Sequence, residues 1–135
     1  IYQDMEDAGM DFEVDVPEEK YMINADRVQM SRVITNLMVN AIRHNQPGTK
    51  ILLSLTERMG LVTVRVADTG SPIPEDIRET LFEPFSKGDK SRSDGKGSGL
   101  GLSIAKKAID MHGYNLSLED GPAGYTKSFT IKLHM

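Results

Sequence analysis

The fold of this chain can be worked out from Leu61-Val-Thr-Val-Arg-Val-Ala-Asp68 and the Thr69-Gly70 pair that follows it. The valines fall at every second position, which is typical of a β-strand with one buried face. The same alternation places Asp68 on that face at the end of the strand. Because burial of a bare charge is costly, this carboxylate needs a donor. Two interpretations are open: Asp68 caps the turn at Thr69-Gly70, or it accepts a hydrogen bond from an exocyclic amine of a ligand.

Alternating segments on both sides of this strand predict a mixed sheet of about five strands. Residues 51–58 precede it and join it through Met59-Gly60, which predicts a hairpin. The other alternating segments are residues 11–16, with one buried face, and residues 21–23, 115–118 and 126–133. Three helical segments against such a sheet predict a two-layer α/β (α+β) sandwich with the helices on one face.

Helical spacing of three and four residues marks two segments, residues 26–45 and about 99–112. Asn24 or Asp26 can cap the first helix, and Pro47-Gly48 ends it. Gly113 suits the left-handed cap of the second helix. The residues that the second helix is expected to bury are Ile104, Ala105, Ala108 and Ile109. Residues 75–81 can form a short third helix, whereas residues 85–99 lack periodicity and predict a mobile loop.

Composition limits the classes of protein that this sequence can represent. The chain has 135 residues, of which 39% are hydrophobic, and this predicts one globular domain over residues 1–135. The absence of cysteine excludes a disulfide scaffold or a cysteine-based zinc site. No apolar run is long enough to cross a membrane, and a net charge of −4 argues against a nucleic-acid coat. The chain opens on Ile1 without a signal-peptide pattern, which indicates a fragment of a longer protein.

Polar residues lie beside the apolar stripe of the first helix. At about 100° per residue, Gln29, Asn36, Asn40 and Arg43 fall together on one face. Carboxamide oxygens suit Mg²⁺ where substrate phosphates supply other ligands, and a guanidinium one turn away can contact those phosphates. The alternative is an ordinary helix surface that carries Asn and Arg.

The glycine-rich run Gly95-Lys-Gly-Ser-Gly-Leu-Gly-Leu102 leads directly into the second helix. Glycines let the backbone approach a polyphosphate, and a helix N-terminus presents free N–H groups to it. Residues 85–96 add four basic against two acidic side chains, a local surplus of +2. The run fits neither a Walker loop nor a dinucleotide fingerprint, because no strand precedes it. A flexible linker is the alternative.

The histidines carry less information. His44 follows the polar helix face and can stack or hydrogen-bond near a base, whereas His112 is expected as a cationic imidazole at a helix C-terminus. His134 is expected to be solvated near the end of the chain.

Four motifs in order along the chain resemble the N, first glycine, F and second glycine boxes of the ATP-binding domain of sensor histidine kinases, part of the Bergerat-fold ATPase group. The motifs are Asn36-Leu-Met-Val-Asn40-Ala, Asp68-Thr-Gly-Ser-Pro-Ile73, Leu81-Phe-Glu-Pro-Phe85 and Gly97-Ser-Gly-Leu-Gly-Leu102. The resemblance extends from about Val14 to Leu133. It implies a kinase that uses ATP and Mg²⁺.

The resemblance also implies a role for each matching residue. Asn40 would coordinate Mg²⁺ with Asn36 near it, and Arg43 would contact phosphate. Asp68 would accept from the N6 amine of adenine, with Gly70 and Ile73 shaping the base pocket and His44 near it. The residues implied for the lid and its phosphate-binding turn are Phe85, Lys87, Arg92, Gly97, Ser98, Gly99, Leu100, Gly101 and Leu102.

The chain departs from the family pattern in three places. Pro72 stands where a second glycine is usual, and proline fixes φ and lacks an N–H. The Gly-Thr pair before the last strand is replaced around residues 125–128, so no nucleotide contact is assigned there. No phosphoacceptor histidine motif is present, so we expect the histidine-bearing dimerisation helices upstream of Ile1.

The leading hypothesis is therefore a kinase domain that delivers the γ-phosphate of ATP to a histidine on a separate dimerisation domain of the same protein. The implied partners are that domain and a response regulator, with no nucleic acid and no membrane insertion by this domain, which is expected to be monomeric in isolation. The implied location is the cytoplasmic part of a membrane-bound sensor.

Three other classes remain open. Hydrolysing Bergerat ATPases and the serine kinases that regulate sigma factors carry a glutamate where this chain has Asn36, a carboxamide that cannot take a proton at neutral pH. Slow or absent ATP hydrolysis is therefore expected. A degenerate module that binds partners but no nucleotide is the last alternative.

Overall fold

Five strands and three helices are formed by residues 6–84 and 101–135, the part of the chain that the computed structural model describes. The strands are β1 (Asp11–Asp15), β2 (Lys50–Arg58), β3 (Leu61–Asp68), β4 (Asn115–Asp120) and β5 (Lys127–His134). The helices are α1 (Arg27–Arg43), α2 (Glu75–Arg78) and α3 (Gly101–Met111).

The strands form one sheet in the order β1-β2-β3-β5-β4. β1 is parallel to β2 and the other pairs are antiparallel, so the sheet is mixed as predicted. β3 lies at the centre, and its register with β5 pairs Asp68 directly with Lys127. Cross-strand partners point to the same face of a sheet, so these two side chains share the helix-facing side.

The helices pack on one face of the sheet over a single apolar cluster. Leu37 of α1 and Ile109 of α3 are fully buried against Val66 and Phe129 of the central strands. This arrangement confirms the predicted two-layer sandwich of sheet and helices.

Local signals fix the ends of these elements. The Asp26 side chain accepts a hydrogen bond from the Gln29 N–H at 3.0 Å and caps α1, as expected from the sequence. Met59 and Gly60 both have positive φ, 52° and 84°, which is the backbone of the tight hairpin turn predicted there. Gly113, with φ of 78°, follows α3 in the left-handed conformation expected of it.

Several details of the sequence prediction are wrong. Residues 21–23 are not a strand; Tyr21 and Ile23 instead pack as an irregular segment against the core. β1 lies at an edge of the sheet, where Phe12 packs against the core but Val14 is 53% exposed, so its apolar face is only partly buried. Ile104 is 54% exposed, because Leu102 rather than Ile104 continues the buried stripe of α3. The short helix α2 ends at Arg78 instead of residue 81.

His112 lies at the C-terminus of α3, as predicted, but its hydrogen bonds differ from those of the expected cationic form. Its Nε2 accepts a hydrogen bond from the Asp26 N–H at 3.1 Å, and its Nδ1 donates to the Ala108 carbonyl at 2.7 Å. An imidazole that accepts at one nitrogen and donates at the other is neutral, so the predicted cationic form does not fit this geometry. The ring joins the end of α3 to the start of α1.

No helix in the part of the chain that the structure describes is long and apolar enough to span a membrane.

Candidate functional site

Asp68 is a buried carboxylate at the end of the central strand. It is 2% exposed, and its Oδ1 atom accepts two hydrogen bonds, from the Gly70 N–H at 2.9 Å and from Lys127 Nζ at 2.7 Å. The turn-capping interpretation is therefore confirmed. The cap uses one oxygen, however, and within residues 6–84 and 101–135 no donor contacts Oδ2. Asp68 can thus cap the turn and still accept from a ligand.

Lys127 supplies the cation that this buried carboxylate needs. Its side chain is 11% exposed, and Nζ also donates to the Ser71 carbonyl at 2.6 Å. The ammonium therefore joins β5 to the loop after β3. No sequence pattern marks Lys127 as a site residue, although the buried position of Asp68 requires a donor. The missing information was the strand register, which places residue 127 opposite residue 68.

Gly70 lies so close to the side chains of Asn45 and Asp68 that there is no room for a Cβ atom. A Cβ at this position would overlap the Asn45 side-chain oxygen and would lie 3.1 Å from Asp68 Oδ1. Asn45 is itself held by a hydrogen bond from Nδ2 to the Ala41 carbonyl of α1, at 2.9 Å. The glycine therefore keeps the loop after β3 closely packed against the end of α1.

A polar cavity of about 360 Å³ lies beside this contact. Its lining residues are His44, Asn45, Gln46, Thr49, Thr69, Gly70 and Ser71. It brings together two predicted site residues, His44 and Gly70, which are far apart in sequence. Asn45, Thr69 and Ser71 were not predicted, because no single pattern marks the loops that close such a cavity.

The polar face of α1 does not line this cavity, and Arg43 lines a separate one with Asp7, Ala8, Val39 and Ile42. Asn40 is 8% exposed, and no described residue makes a hydrogen bond with its side-chain amide. Asn36 is half-buried, whereas Arg43 is exposed in the last turn of the helix. The His44 N–H caps the helix by donating to the Asn40 carbonyl at 3.1 Å. An amide oxygen that no described residue uses is suited to hold a ligand or a cation.

The remaining predicted residues fall into two groups. Ile73 and Leu102 are core residues, 5% and 2% exposed, so Leu102 could contact a ligand only through its backbone. Gly101 is the exposed first residue of α3, and a Cβ there would meet open space. The predicted residues that lie outside the described part of the chain, together with the predicted mobile loop, are Phe85, Lys87, Arg92, Gly97, Ser98, Gly99 and Leu100.

Tyr125 occupies part of the segment in which the chain departs from the family pattern. Its hydroxyl donates a hydrogen bond to Glu13 at 3.3 Å. The pKa of the phenol is raised above its ordinary value, mainly because the group is partly buried and secondly because the negative charge of Glu13 lies beside it. Tyr125 therefore remains neutral and fixes the chain that leads into β5.

The described residues fit a nucleotide better than a metal alone. They contain no group of three or more His, Asp or Glu side chains that could hold a metal ion. They do contain an available acceptor on Asp68, a close approach at Gly70 and an unpartnered amide on Asn40. This donor and acceptor set fits a base and a phosphate-bound cation.

Residues 25–135 match the model of the histidine kinase-, DNA gyrase B- and HSP90-like ATPases. The match covers most of the chain, and the chain therefore belongs to this ATPase family.

Within the family, the chain is similar to sensor histidine kinases. It is 36% identical to sensor protein GtcS of Aneurinibacillus migulanus over 110 residues, which are 82% of this chain and 30% of that protein. It is 34% identical to sensor histidine kinase TrcS of Mycobacterium tuberculosis over 111 residues, 78% of this chain and 22% of that protein. The chain thus spans between about a fifth and a third of the length of these relatives.

Solved structures agree with this placement. The nucleotide-free catalytic domain of histidine kinase ThkA is 29% identical, with a TM-score of 0.80 over 98% of this chain and 83% of that one. ThkA in complex with response regulator protein TrrA is 28% identical, with a TM-score of 0.76 over 98% of this chain and 36% of that one. The chain has the catalytic-domain fold of histidine kinases.

Proposed function

We propose that this chain is the ATP-binding part of a sensor histidine kinase and delivers the γ-phosphate of ATP to a histidine on a separate helical domain of the same protein. The observation that carries the proposal is the buried Asp68 carboxylate, held on Oδ1 by Gly70 and Lys127 with Oδ2 available for the amine of adenine. The family match and the likeness to the ThkA catalytic domain support it.

The residues of α1 would hold the other end of the nucleotide. In this proposal the Asn40 amide coordinates Mg²⁺ bound to the phosphates, with Asn36 one turn away. Arg43 neutralises phosphate charge from the exposed end of the helix. The burial of Asn40 and the absence of a described partner for its amide support these roles.

Positioning and charge neutralisation supply most of the catalysis in phosphoryl transfer. Bound Mg·ATP would provide the phosphoryl group, and the residues of this chain would orient it and keep water away. A general base for the accepting imidazole belongs beside that imidazole, on the partner domain. Because Asn36 cannot take a proton at neutral pH, we expect slow hydrolysis by this chain alone, which distinguishes it from the hydrolysing ATPases.

The remainder of the proposal concerns the longer protein. We infer that the histidine-bearing dimerisation domain lies upstream, that the parent is a membrane-bound sensor with this domain in the cytoplasm, and that a response regulator receives the phosphate. The structure of ThkA with TrrA supports the last point by similarity.

Isothermal titration tests the nucleotide site directly. The chain should bind ATP in the presence of Mg²⁺, and chelation of the metal should weaken binding. Absence of heat at millimolar nucleotide would contradict the site and favour a module that binds only partners.

A second experiment tests the acceptor. The chain is mixed with labelled ATP and the upstream helical domain, and label on that domain should be acid-labile and base-stable, as expected of phosphohistidine. Phosphoserine would support the serine kinases, and release of free phosphate alone would support the hydrolysing ATPases.

A further inference from the structure

Lys127 is a buried cation whose hydrogen-bonding capacity is only partly used. Its Nζ lies 2.7 Å from Asp68 Oδ1 and 2.6 Å from the Ser71 carbonyl oxygen. An ammonium group has three N–H donors. These contacts use two of them, and no residue within the described ranges accepts the third.

The position of the ammonium decides which atoms face a ligand. Gly70 and Lys127 both donate to Oδ1 of Asp68, so Oδ2 is left as the available acceptor. Both side chains come from paired residues at adjacent strand ends and lie on the same face. The site therefore presents a carboxylate acceptor beside a charged donor.

We propose that Lys127 is a specificity-determining residue of the nucleotide site: its third N–H donates to ring nitrogen N1 of adenine while Oδ2 of Asp68 accepts from the N6 amine. This inference rests on the proposed function, since it requires that Asp68 read the base. Adenine offers a donor at N6 next to an acceptor at N1, which complements the pair. In the same placement guanine offers an acceptor at position 6 and a donor at N1, so both contacts would be repulsive.

An ATP analogue that lacks only N1 isolates this contact. The probe is 1-deaza-ATP, in which a C–H replaces N1 and the N6 amine is kept. With the unsubstituted chain, 1-deaza-ATP should bind about tenfold more weakly than ATP, the size expected for one hydrogen bond from a charged group. This comparison needs no substitution and is made by titration calorimetry in Mg²⁺.

A ligand and variant cycle then assigns the contact to Lys127. In Lys127→Met the two nucleotides should bind equally, because the donor to N1 is gone. Lys132→Met is the matched control: it lies on the same strand, faces the opposite side and pairs with Glu119 at the surface. It should keep the tenfold preference for ATP.

Stability does not obscure the result. Removal of Lys127 leaves a buried carboxylate without its cation, which can lower the folding stability. The double variant Asp68→Asn/Lys127→Met removes both charges. The difference in affinity between ATP and 1-deaza-ATP should disappear in this variant as well.

The possible results separate the two proposals. Equal binding of ATP and 1-deaza-ATP by the unsubstituted chain overturns the role of Lys127 and leaves the ATP site standing. A preference for ATP that persists in Lys127→Met likewise overturns it, because another group must then contact N1. Failure of the unsubstituted chain to bind ATP at all overturns the proposed function itself.

Discussion

Asp26 and Asp68 lie at opposite ends of the sandwich, and each accepts a hydrogen bond from a nearby backbone N–H, yet their surroundings differ. Asp26 accepts from the Gln29 N–H at 3.0 Å, and Asp68 accepts from the Gly70 N–H at 2.9 Å. The two lie near opposite ends of α1, whose 17 residues span about 25 Å. Asp26 is exposed, whereas Asp68 is 2% exposed and has an ammonium beside it.

The end of the molecule around Asp26 is held together by hydrogen bonds between α1 and α3. The Asp26 N–H donates to His112, the His112 ring donates to Ala108, and the Tyr114 hydroxyl donates to the Asn24 carbonyl at 2.9 Å. The rings of His112 and Tyr114 are stacked, with centroids 6.5 Å apart. These groups hold α1 and α3 together.

The end around Asp68 is more buried and less satisfied. Oδ2 of Asp68, the third N–H of Lys127 and the amide of Asn40 have no partners among the described residues. A ligand can pair with these groups without breaking a hydrogen bond within the protein. The structural polar cluster at Asp26 and the candidate binding site at Asp68 therefore contain similar types of residue. They differ in burial and in the hydrogen-bonding capacity that remains for a ligand.

The largest expected effect distinguishes the two aspartates. In Asp68→Asn the single amide oxygen remains with Gly70 and Lys127, so the NH₂ group takes the place of Oδ2 and opposes the adenine amine. ATP affinity should fall about 100-fold, which corresponds to the upper range for a charged hydrogen bond. Titration calorimetry with Mg·ATP measures it.

Asp26→Asn is the matched control for that change. Asn caps helices about as well as Asp, so both ATP affinity and the melting temperature should remain near those of the unsubstituted chain. A similar loss of affinity in both variants would remove the distinction between the two ends.

Gly70→Ala should have the next largest effect. Its Cβ would displace the Asn45 side chain and press on the Asp68 carboxylate, and we expect about tenfold weaker ATP binding from the loss of roughly one hydrogen bond in the site. The double variant Asn45→Ala/Gly70→Ala relieves the overlap and should recover part of the affinity. If the double variant recovers no affinity, Gly70 acts through its backbone conformation and not through its contact with Asn45.

Asn40→Ala should have a smaller effect that is confined to the metal. The amide has no described side-chain partner, so folding stability should change little, whereas Mg²⁺ should strengthen ATP binding less than in the unsubstituted chain, by a few-fold. Measurement of ATP affinity with Mg²⁺ and with chelator checks this. Gln29→Ala, at the exposed start of the same helix, should retain the full metal dependence.

His112→Phe should leave nucleotide affinity unchanged. The substitution removes the acceptor for the Asp26 N–H and the donor to Ala108, which should lower the free energy of unfolding by about 1 kcal/mol in urea denaturation. A change in ATP affinity greater than the change seen in the control Asp26→Asn would show that the two ends are coupled.

Much of the fold could be predicted because it follows from local periodicity. The alternation in β2, β3 and β5, the hairpin at Met59-Gly60 and the cap at Asp26 each depend on residues that are close in sequence. The predictions failed where a local pattern had no tertiary counterpart. Residues 21–23 have no strand partner in the sheet. Ile104 is exposed because α3 turns the face that carries Leu102, Ala105 and Ile109 toward the core.

The sequence by itself determined that Asp68 ends a buried row on the central strand and that Asn40 lies on a polar helix face, because periods of 2 and 3.6 fix the direction of each side chain. Only the tertiary structure decided their partners. Lys127 reaches Asp68 from 59 residues away through the β3–β5 register, and Asn45 meets Gly70 where two loops converge. Such pairings depend on how whole elements pack, and that packing leaves one oxygen of Asp68 and one donor of Lys127 for a ligand.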